Sequence, residues 1–373
     1  MKILQSCGSR SWGGLEMQAL LISKELRKRG HDVSLLCRPR STILKEAYSA
    51  GVPTIGMIGD DNQAFGTIKD LSKLLKSYQF DVIHTHLSHD LWWLVPALKL
   101  ASSDARLFLT KHMASGVKKT DPLHRFLYGR LQGTFAISNY IRTSILNTCP
   151  VPESEVYVLP PAISLEIYDP SLFVKAEVRN ELRIPENAVA AGMVGRITPG
   201  KGHEEFFRAA KRLKESSQLD FRFLVIGTAS FGEEGFGHKM KDLVDELGLT
   251  GFVQFTGYRK DIPRLLSALD VLAFPSHEES FGLALIEAMA MKVPVAASAS
   301  AGVLDIVVDG KTGILFPPMD YLALADCILR LASRADLREE FGKVGRKRVE
   351  ELFSVNTLIS NLERYYLKGQ SKD

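Results

Sequence analysis

The sequence has 373 residues and is poor in several features that would each define a class. It has only four cysteines, Cys7, Cys37, Cys149 and Cys327, and no two form a CxxC pair. A disulfide scaffold is excluded, and the thiols are expected to be reduced and buried. No stretch approaches the roughly 18 apolar residues of a membrane span. The most apolar segment, Leu91–Leu98, is far too short. Met1–Gly8 holds no long apolar run, so no cleaved leader is expected and the chain reads as cytoplasmic. The dinucleotide fingerprint GxGxxG and the complete P-loop motif GxxxxGK[ST] are both missing. No repeat recurs at a period of 20–50 residues. Charge of one sign is also scarce. Lys and Arg number 47 against 43 Asp and Glu, a net of +4 that argues against a nucleic-acid partner.

What remains is an ordinary globular balance, 45% hydrophobic and 24% charged. Short apolar runs alternate with helical patterns. Strands are expected at 2–6, 33–37, 53–57, 82–85, 106–110, 134–136 and 156–159. Helices are expected at 14–29 and 41–50. Brief Val-, Ile- and Leu-rich runs separated by helices indicate buried parallel strands joined by crossovers. The alternation pauses near 160–187, where Pro160, Pro161, Pro170 and Pro185 fall, and restarts with strands near 190–194, 222–226, 252–256, 271–274, 293–297 and 313–316. The fold class is therefore α/β, with two tandem doubly wound, Rossmann-like domains. Ligands of such folds bind at the strand C-terminal edges, here facing a cleft. The expected division is 1–165, 166–352 with 166–187 as linker, and a C-terminal helical segment at 353–373.

The mild net charge is unevenly distributed. Residues 1–180 carry 22 Lys and Arg against 16 Asp and Glu, and the whole excess lies within 91–146. An anionic partner on that half, or simply a solvated charged face, accounts for it.

Three motifs carry candidate chemistry. Gly13 and Gly14 stand between the first strand and a helix, where glycine lets backbone approach a ligand and a helix N-terminus favours an anion. A plain tight turn is the alternative. Gly195-Arg196-Ile197-Thr198-Pro199-Gly200-Lys201-Gly202 follows the first strand of the second half and opens a helix. Arg196 and Lys201 there suit a diphosphate, or are two solvated cations. The most specific element runs from Pro275 to Ala290. Glu279 lies in its loop and Glu287 more than a turn into the following helix. The free amides of Phe281, Gly282 and Leu283 are phosphate donors. A carboxylate beside phosphate is better explained by hydrogen bonds to sugar or ribose hydroxyls. A helix-dipole partner is the other explanation for Glu279.

Taken together, these motifs resemble the retaining glycosyltransferases of family 4, also called glycosyl transferases group 1, over nearly the whole chain. The resemblance implies the GT-B fold, a nucleoside diphosphate sugar as donor bound by the C-terminal domain, and a glycan or lipid-linked acceptor bound by the N-terminal domain. It implies that Arg196, Lys201 and the amides of Phe281, Gly282 and Leu283 hold the diphosphate. Glu279 then contacts the transferred sugar and Glu287 the ribose. Gly13 and Gly14 approach the phosphates, and Tyr258 packs on the base. His112, in Leu109-Thr110-Lys111-His112, matches a family histidine near the reacting centre. The implied catalytic set is His112, Glu279, Arg196 and Lys201, with no metal and no cofactor beyond the nucleotide-sugar co-substrate. It also implies that the last helix, 353–368, returns to the N-terminal domain.

Three stretches depart from the family pattern: 227–237, where a tighter glycine turn is usual; 301–305, where a Gly-Gly pair and Glu are usual; and 158–163, in place of an Asn-Gly turn. His84 and His86 share a face at a strand end, with His112 elsewhere in sequence. They read as an acceptor-contacting wall, as satisfied core histidines or, with less support, as metal ligands. Trp92 and Trp93, with the basic residues of 91–146, read either as a crossover-helix core or as a peripheral membrane contact at the inner face of the cell membrane. The function expected is sugar transfer in cell-envelope polysaccharide, lipopolysaccharide or glycolipid synthesis. The alternatives are a nucleotide-sugar epimerase of the same fold and a non-catalytic sugar-nucleotide-binding protein.

Overall fold

The computed structural model describes residues 1–56, 64–230 and 232–368. It divides into two compact units, Met1–Pro161 with Val355–Asp373, and Ala162–Ser354.

The first unit is built on a parallel sheet of β1 (Lys2–Cys7), β2 (Asp32–Cys37), β3 (Thr54–Gly56), β4 (Val82–Thr85), β5 (Arg106–Lys111), β6 (Leu131–Ala136) and β7 (Val156–Val158). Their spatial order is β3-β2-β1-β4-β5-β6-β7. The connecting helices are α1 (Gly14–Lys28), α2 (Thr42–Ser49), α3 (Ala64–Tyr78), α4 (Leu91–Ala101), α5 (Pro122–Tyr128) and α6 (Asn139–Thr148). Ile3, Leu35, Ile83, Leu107 and Phe135 are fully buried on central strands. This is why the runs read as continuously apolar: both faces of the sheet are covered. The expected strand at 53–57 ends at Gly56 in the structure, and Met57 lies outside the described residues.

The second unit opens with α7 (Lys175–Glu181) and is built on β8 (Val189–Val194), β9 (Phe221–Ile226), β10 (Val253–Gly257), β11 (Val271–Phe274), β12 (Val295–Ser298) and β13 (Gly313–Phe316). Their order is β10-β9-β8-β11-β12-β13. Its other helices are α8 (His203–Ser216), α9 (Glu234–Glu246), α10 (Ile262–Ser267), α11 (Leu283–Ala290), α12 (Val303–Ile306), α13 (Tyr321–Ser333) and α14 (Ala335–Leu352). The chain closes with α15 (Val355–Leu367), which packs in the first unit.

Residues 166–187, expected as linker, are tied by hydrogen bonds and ion pairs to the second unit. Arg179 of α7 is buried and donates from Nε to the Ala268 carbonyl (3.0 Å) and from Nη1 to the carbonyls of Glu186 and Ala188. Lys175 and Arg179 both pair with Asp270, just before β11. The prolines punctuate this segment without detaching it. At the other end, Arg29 and His31 both reach Glu363 of α15, at 2.7 and 2.9 Å, and Arg106 donates to the Tyr366 carbonyl.

In each sheet the strand order reverses once, between β1 and β4 and between β8 and β11. At such a switch point the loops leaving adjacent strands run to opposite faces and open a crevice at the carboxyl ends. The first sheet's switch point is flanked by the loops that carry Gly13 and His86. The second is flanked by 195–202 and 275–282. Both candidate sets therefore stand where this topology binds ligands.

Candidate active site

The second unit brings together two of the three motifs. After β8 the chain turns through Gly200 and Gly202, both with φ of +80°, into α8. A Cβ on Gly202 would lie 2.1 Å from the Pro275 carbonyl oxygen, so glycine is required for the turn to press against the loop after β11. That loop returns two hydrogen bonds to the Gly200 carbonyl, from the His277 amide at 2.8 Å and from Ser276 Oγ at 3.4 Å. His277 Nε2 also meets Glu205 Oε1, in the first turn of α8, at 2.9 Å.

The seam sets Lys201 against Glu279, Nζ bonded to Oε2, with both side chains half-buried. The two residues expected to serve different parts of a donor are thus each other's partner. Ser276 Oγ lies 3.5 Å from the same carboxylate oxygen. Arg196, on the same turn as Lys201, is exposed, with Nη1 3.5 Å from Ser230 Oγ in the loop after β9. The amides of Phe281, Gly282 and Leu283 open α11 and find no acceptor among the described residues. Gly282 caps that helix in a left-handed conformation (φ +111°). Behind the loop, a Cβ on Gly302 would fall 2.2 Å from the Ser280 carbonyl, and the Gly302 amide donates to the Glu279 carbonyl at 2.8 Å. Ala301 sits at φ +44°, so of the usual Gly-Gly pair the close-approach glycine is kept and the left-handed one is replaced.

Glu287 is one turn into α11. Tyr168 Oη donates to its Oε1 at 2.8 Å, and burial raises its pKa above the usual carboxylate range. Arg346 of α14 fixes this tyrosine by donating to the Tyr168 carbonyl, and it also donates to the Ala290 carbonyl at 2.8 Å. Tyr168 was not legible in the sequence because it lies in a proline-punctuated stretch with no motif. Tyr258, after β10, is 60% exposed, and no contact joins it to Lys201 or Glu279 among the described residues.

In the first unit, Gly13 caps α1 with extended backbone and Gly14 is the helix's exposed first residue. A Cβ on Gly13 would meet nothing nearer than Glu16 Oε2 at 3.6 Å, so the protein itself has no steric need for glycine there. Glu16 is a buried carboxylate in the first turn of α1 that no motif flagged. Asp90, buried after β4, accepts from Ser6 Oγ (2.8 Å), the Gly8 amide (3.1 Å) and Thr85 Oγ1 (3.1 Å), which ties the loop after β1 to β4. Burial raises its pKa to about 6, against the lowering effect of those donors.

The histidines need a correction. His84 is fully buried and both ring nitrogens are taken, Nδ1 by Tyr366 Oη at 2.6 Å and Nε2 by Thr110 Oγ1 at 2.7 Å. His86 is also buried and doubly engaged, with His112 Nε2 at 3.2 Å and Gln5 Oε1 at 3.0 Å. Neither has a nitrogen left for an acceptor. Strand spacing showed that they share a face but not that α15, some 280 residues later in the chain, covers it. Only His112 is partly accessible. Of the tryptophans, Trp93 is buried and Trp92 is exposed at 40%. The four cysteines are buried free thiols.

Residues 174–348 match the description "Glycosyl transferases group 1" and residues 12–167 match "Glycosyltransferase Family 4". A D-inositol 3-phosphate glycosyltransferase of Corynebacterium diphtheriae is 28% identical over 376 aligned positions, covering 91% of this chain and 86% of the relative. The capsular polysaccharide biosynthesis glycosyltransferase CapM of Staphylococcus aureus is 35% identical over 177 positions, covering 47% of this chain and 45% of CapM. In fold, a glycosyltransferase of Rickettsia africae superposes with a TM-score of 0.91 at 23% identity, covering 100% of this chain and 99% of that one. Anabaena HepE in complex with UDP gives 0.84 at 20%, covering 98% and 99%.

Two parallel α/β units with candidate loops at their switch points, together with these superpositions, define the fold class, GT-B. Within that class the chain belongs to the group 1, family 4 glycosyltransferases, its two halves matching the family's two parts in order.

Proposed function

We propose that this glycosyltransferase binds a nucleoside diphosphate sugar at the β8–β11 switch point and transfers the sugar, with retained anomeric configuration, to a hydroxyl on a glycan or lipid-linked acceptor. The observation that carries the reading is the seam that sets Lys201, Glu279 and three open amides side by side. An incoming diphosphate replaces the Glu279 carboxylate as the counterion of Lys201. It also takes hydrogen bonds from the Phe281, Gly282 and Leu283 amides and from Arg196. Glu279, released, accepts from sugar hydroxyls. Glu287 accepts from the ribose with the oxygen that Tyr168 leaves free. Tyr258 offers an exposed ring to the base. These fixed cations and dipoles neutralise charge as it develops on the leaving diphosphate, so neither a metal nor a further cofactor is called for.

In the retaining step the bond from the anomeric carbon to the phosphate oxygen breaks, and the acceptor oxygen bonds to that carbon on the same face. The acceptor's proton passes to the departing phosphate. His112 is assigned to the substrate, and Gly13 and Gly14 to phosphate, as the family resemblance implies. Incubating the chain with UDP-, GDP- and ADP-sugars and an acceptor panel, then reading the product anomer by NMR, tests this. A product of inverted configuration overturns the retaining reading, and donor epimerised without acceptor overturns transfer itself.

The acceptor is placed in envelope polysaccharide, lipopolysaccharide or glycolipid synthesis at the inner membrane face. Among the described residues no helix is long and apolar enough to cross a membrane. Support for peripheral contact is the first unit's exposed Trp92, Leu123 and Phe126, with Lys99 stacked 5.2 Å over Phe126. Cosedimentation with anionic vesicles at low salt is the expected outcome, and its absence removes the membrane part of the reading.

A further inference from the structure

Six side chains of the first unit form one unbranched hydrogen-bonded chain. It starts at His112, just after β5, and passes to His86 after β4 (3.2 Å) and Gln5 on β1 (3.0 Å). It continues to Tyr366 on α15 (3.3 Å) and His84 on β4 (2.6 Å), and ends at Thr110 on β5 (2.7 Å). Apart from His112, every member is buried, and the His84 and His86 rings are stacked with centroids 4.6 Å apart. Burial holds the three rings neutral: His84 and His112 are pushed down to about 3, and His86 lies well below the usual imidazole value. A neutral imidazole has one donor and one acceptor, so the proton position on one ring dictates the next.

The Gln5 amide sets the direction. Its Oε1 faces His86 Nε2, and an amide oxygen only accepts, so His86 carries its proton on Nε2 and its Nδ1 is bare. Nδ1 then accepts from His112, whose proton must sit on Nε2. On the other side, Gln5 Nε2 donates to Tyr366 Oη. The tyrosine hydroxyl donates on to His84 Nδ1, and His84 Nε2–H donates to Thr110 Oγ1. No member is left with two donors or two acceptors facing each other.

We propose that Gln5, His86 and Tyr366 are positioning residues that lock His112 in the Nε2-protonated form and leave its Nδ1 lone pair as a hydrogen-bond acceptor for a substrate hydroxyl. This rests on the proposed function, in which His112 serves the substrate. An imidazole held this way recognises a hydroxyl, which can donate, and offers nothing to a phosphate or carboxylate, which cannot. The specificity of His112 is thus set by the C-terminal helix, through a residue more than 250 positions away in sequence.

The test is the histidine nitrogen spectrum of the full chain, labelled with ¹⁵N-histidine, with His112 assigned by its loss in His112→Ala. Two-bond nitrogen–proton correlations near neutral pH should show His112 protonated on Nε2 alone. Tyr366→Phe keeps the ring and removes the hydroxyl, so the Gln5 amide loses its acceptor and is free to turn. His112 should then become a mixture of both tautomers, and kcat/KM for transfer should fall about fivefold, the worth of one neutral hydrogen bond. UDP, GDP or ADP affinity should not change. Wild-type His112 protonated on Nδ1 overturns the proposal, as does a His112 tautomer unmoved by Tyr366→Phe. If that variant fails to fold, Thr110→Val breaks the other end and the wild-type spectrum still decides the tautomer. Absence of sugar transfer with the expected tautomer counts against the proposed function and leaves the chain's direction standing.

Discussion

Lys201 and Glu279 neutralise each other across the β8–β11 seam, and this shapes what substitution at either one does. Lys201→Ala removes the cation proposed to meet the diphosphate. It should lower kcat/KM by about 10²–10³, the loss seen on removing one preorganised donor to developing negative charge. Glu279→Gln does the opposite for the bare nucleotide. With no carboxylate competing for Lys201, the nucleoside diphosphate should bind about tenfold more tightly by titration calorimetry, roughly the strength of a charge-assisted bond. Sugar transfer should fall in the same variant, because the sugar loses its acceptor. A variant weakened in both would mean that Glu279 positions Lys201 and does not compete for it. The sequence placed both residues in one site by motif. It could not show that they bind each other, because the contact depends on how tightly Gly202 lets the two loops approach.

At the scale of elements, two glycines at loop-to-helix junctions have opposite explanations. Gly202 is demanded by the fold: its φ is +80° and a Cβ would overlap the Pro275 carbonyl. Gly202→Ala should cost about 2–4 kcal/mol of stability in the second unit, measured by denaturant titration. Gly13 is not demanded by the fold, since a methyl meets nothing closer than 3.6 Å. Gly13→Ala should leave stability within about 0.5 kcal/mol of wild type and, if the proposed phosphate role of Gly13 holds, still abolish transfer. Unchanged activity would remove Gly13 from the site. Most elements were legible from short apolar runs: 82–85, 271–274 and 313–316 agree to the residue with β4, β11 and β13. The segment 166–187 was not, because α7 is too short for a clear period and is held by Arg179 and Asp270, which stand 91 residues apart in the chain. Of the readings open for His84 and His86, the structure bears out satisfied core histidines and not an acceptor wall, for a related reason. Local spacing says which residues share a face, and only distant chain says what covers it.

The whole molecule contains three tryptophans, Trp12, Trp92 and Trp93, all in the first unit, so their fluorescence follows that unit alone. Its acid response follows from four buried groups. The folded-state pKa values of His84, His86 and His112 are depressed by burial, so below about pH 6.5 the unfolded chain takes up three protons that the folded chain refuses. The pKa of Asp90 is raised to about 6, so between about pH 4 and 6 the folded chain holds one proton that the unfolded chain does not. The unfolded state therefore binds about two more protons in that window. Stability of the first unit should therefore fall as pH drops from 6 towards 4, by roughly 3 kcal/mol per pH unit for two protons. Tryptophan-monitored urea titrations at several pH values measure this slope. A flat profile would mean that folded and unfolded chains take up equal numbers of protons in this window, and would contradict the burial effect on the histidines.

Binding of a nucleoside diphosphate at the β8–β11 switch point is the central proposal. The most direct test is thermal unfolding of wild type and Lys201→Ala with UDP, GDP and ADP. One nucleotide at about 100 times its dissociation constant should add roughly 2.7 kcal/mol to the wild type and little to the variant. Equal stabilisation of both proteins, or none from any of the three nucleotides, would contradict it.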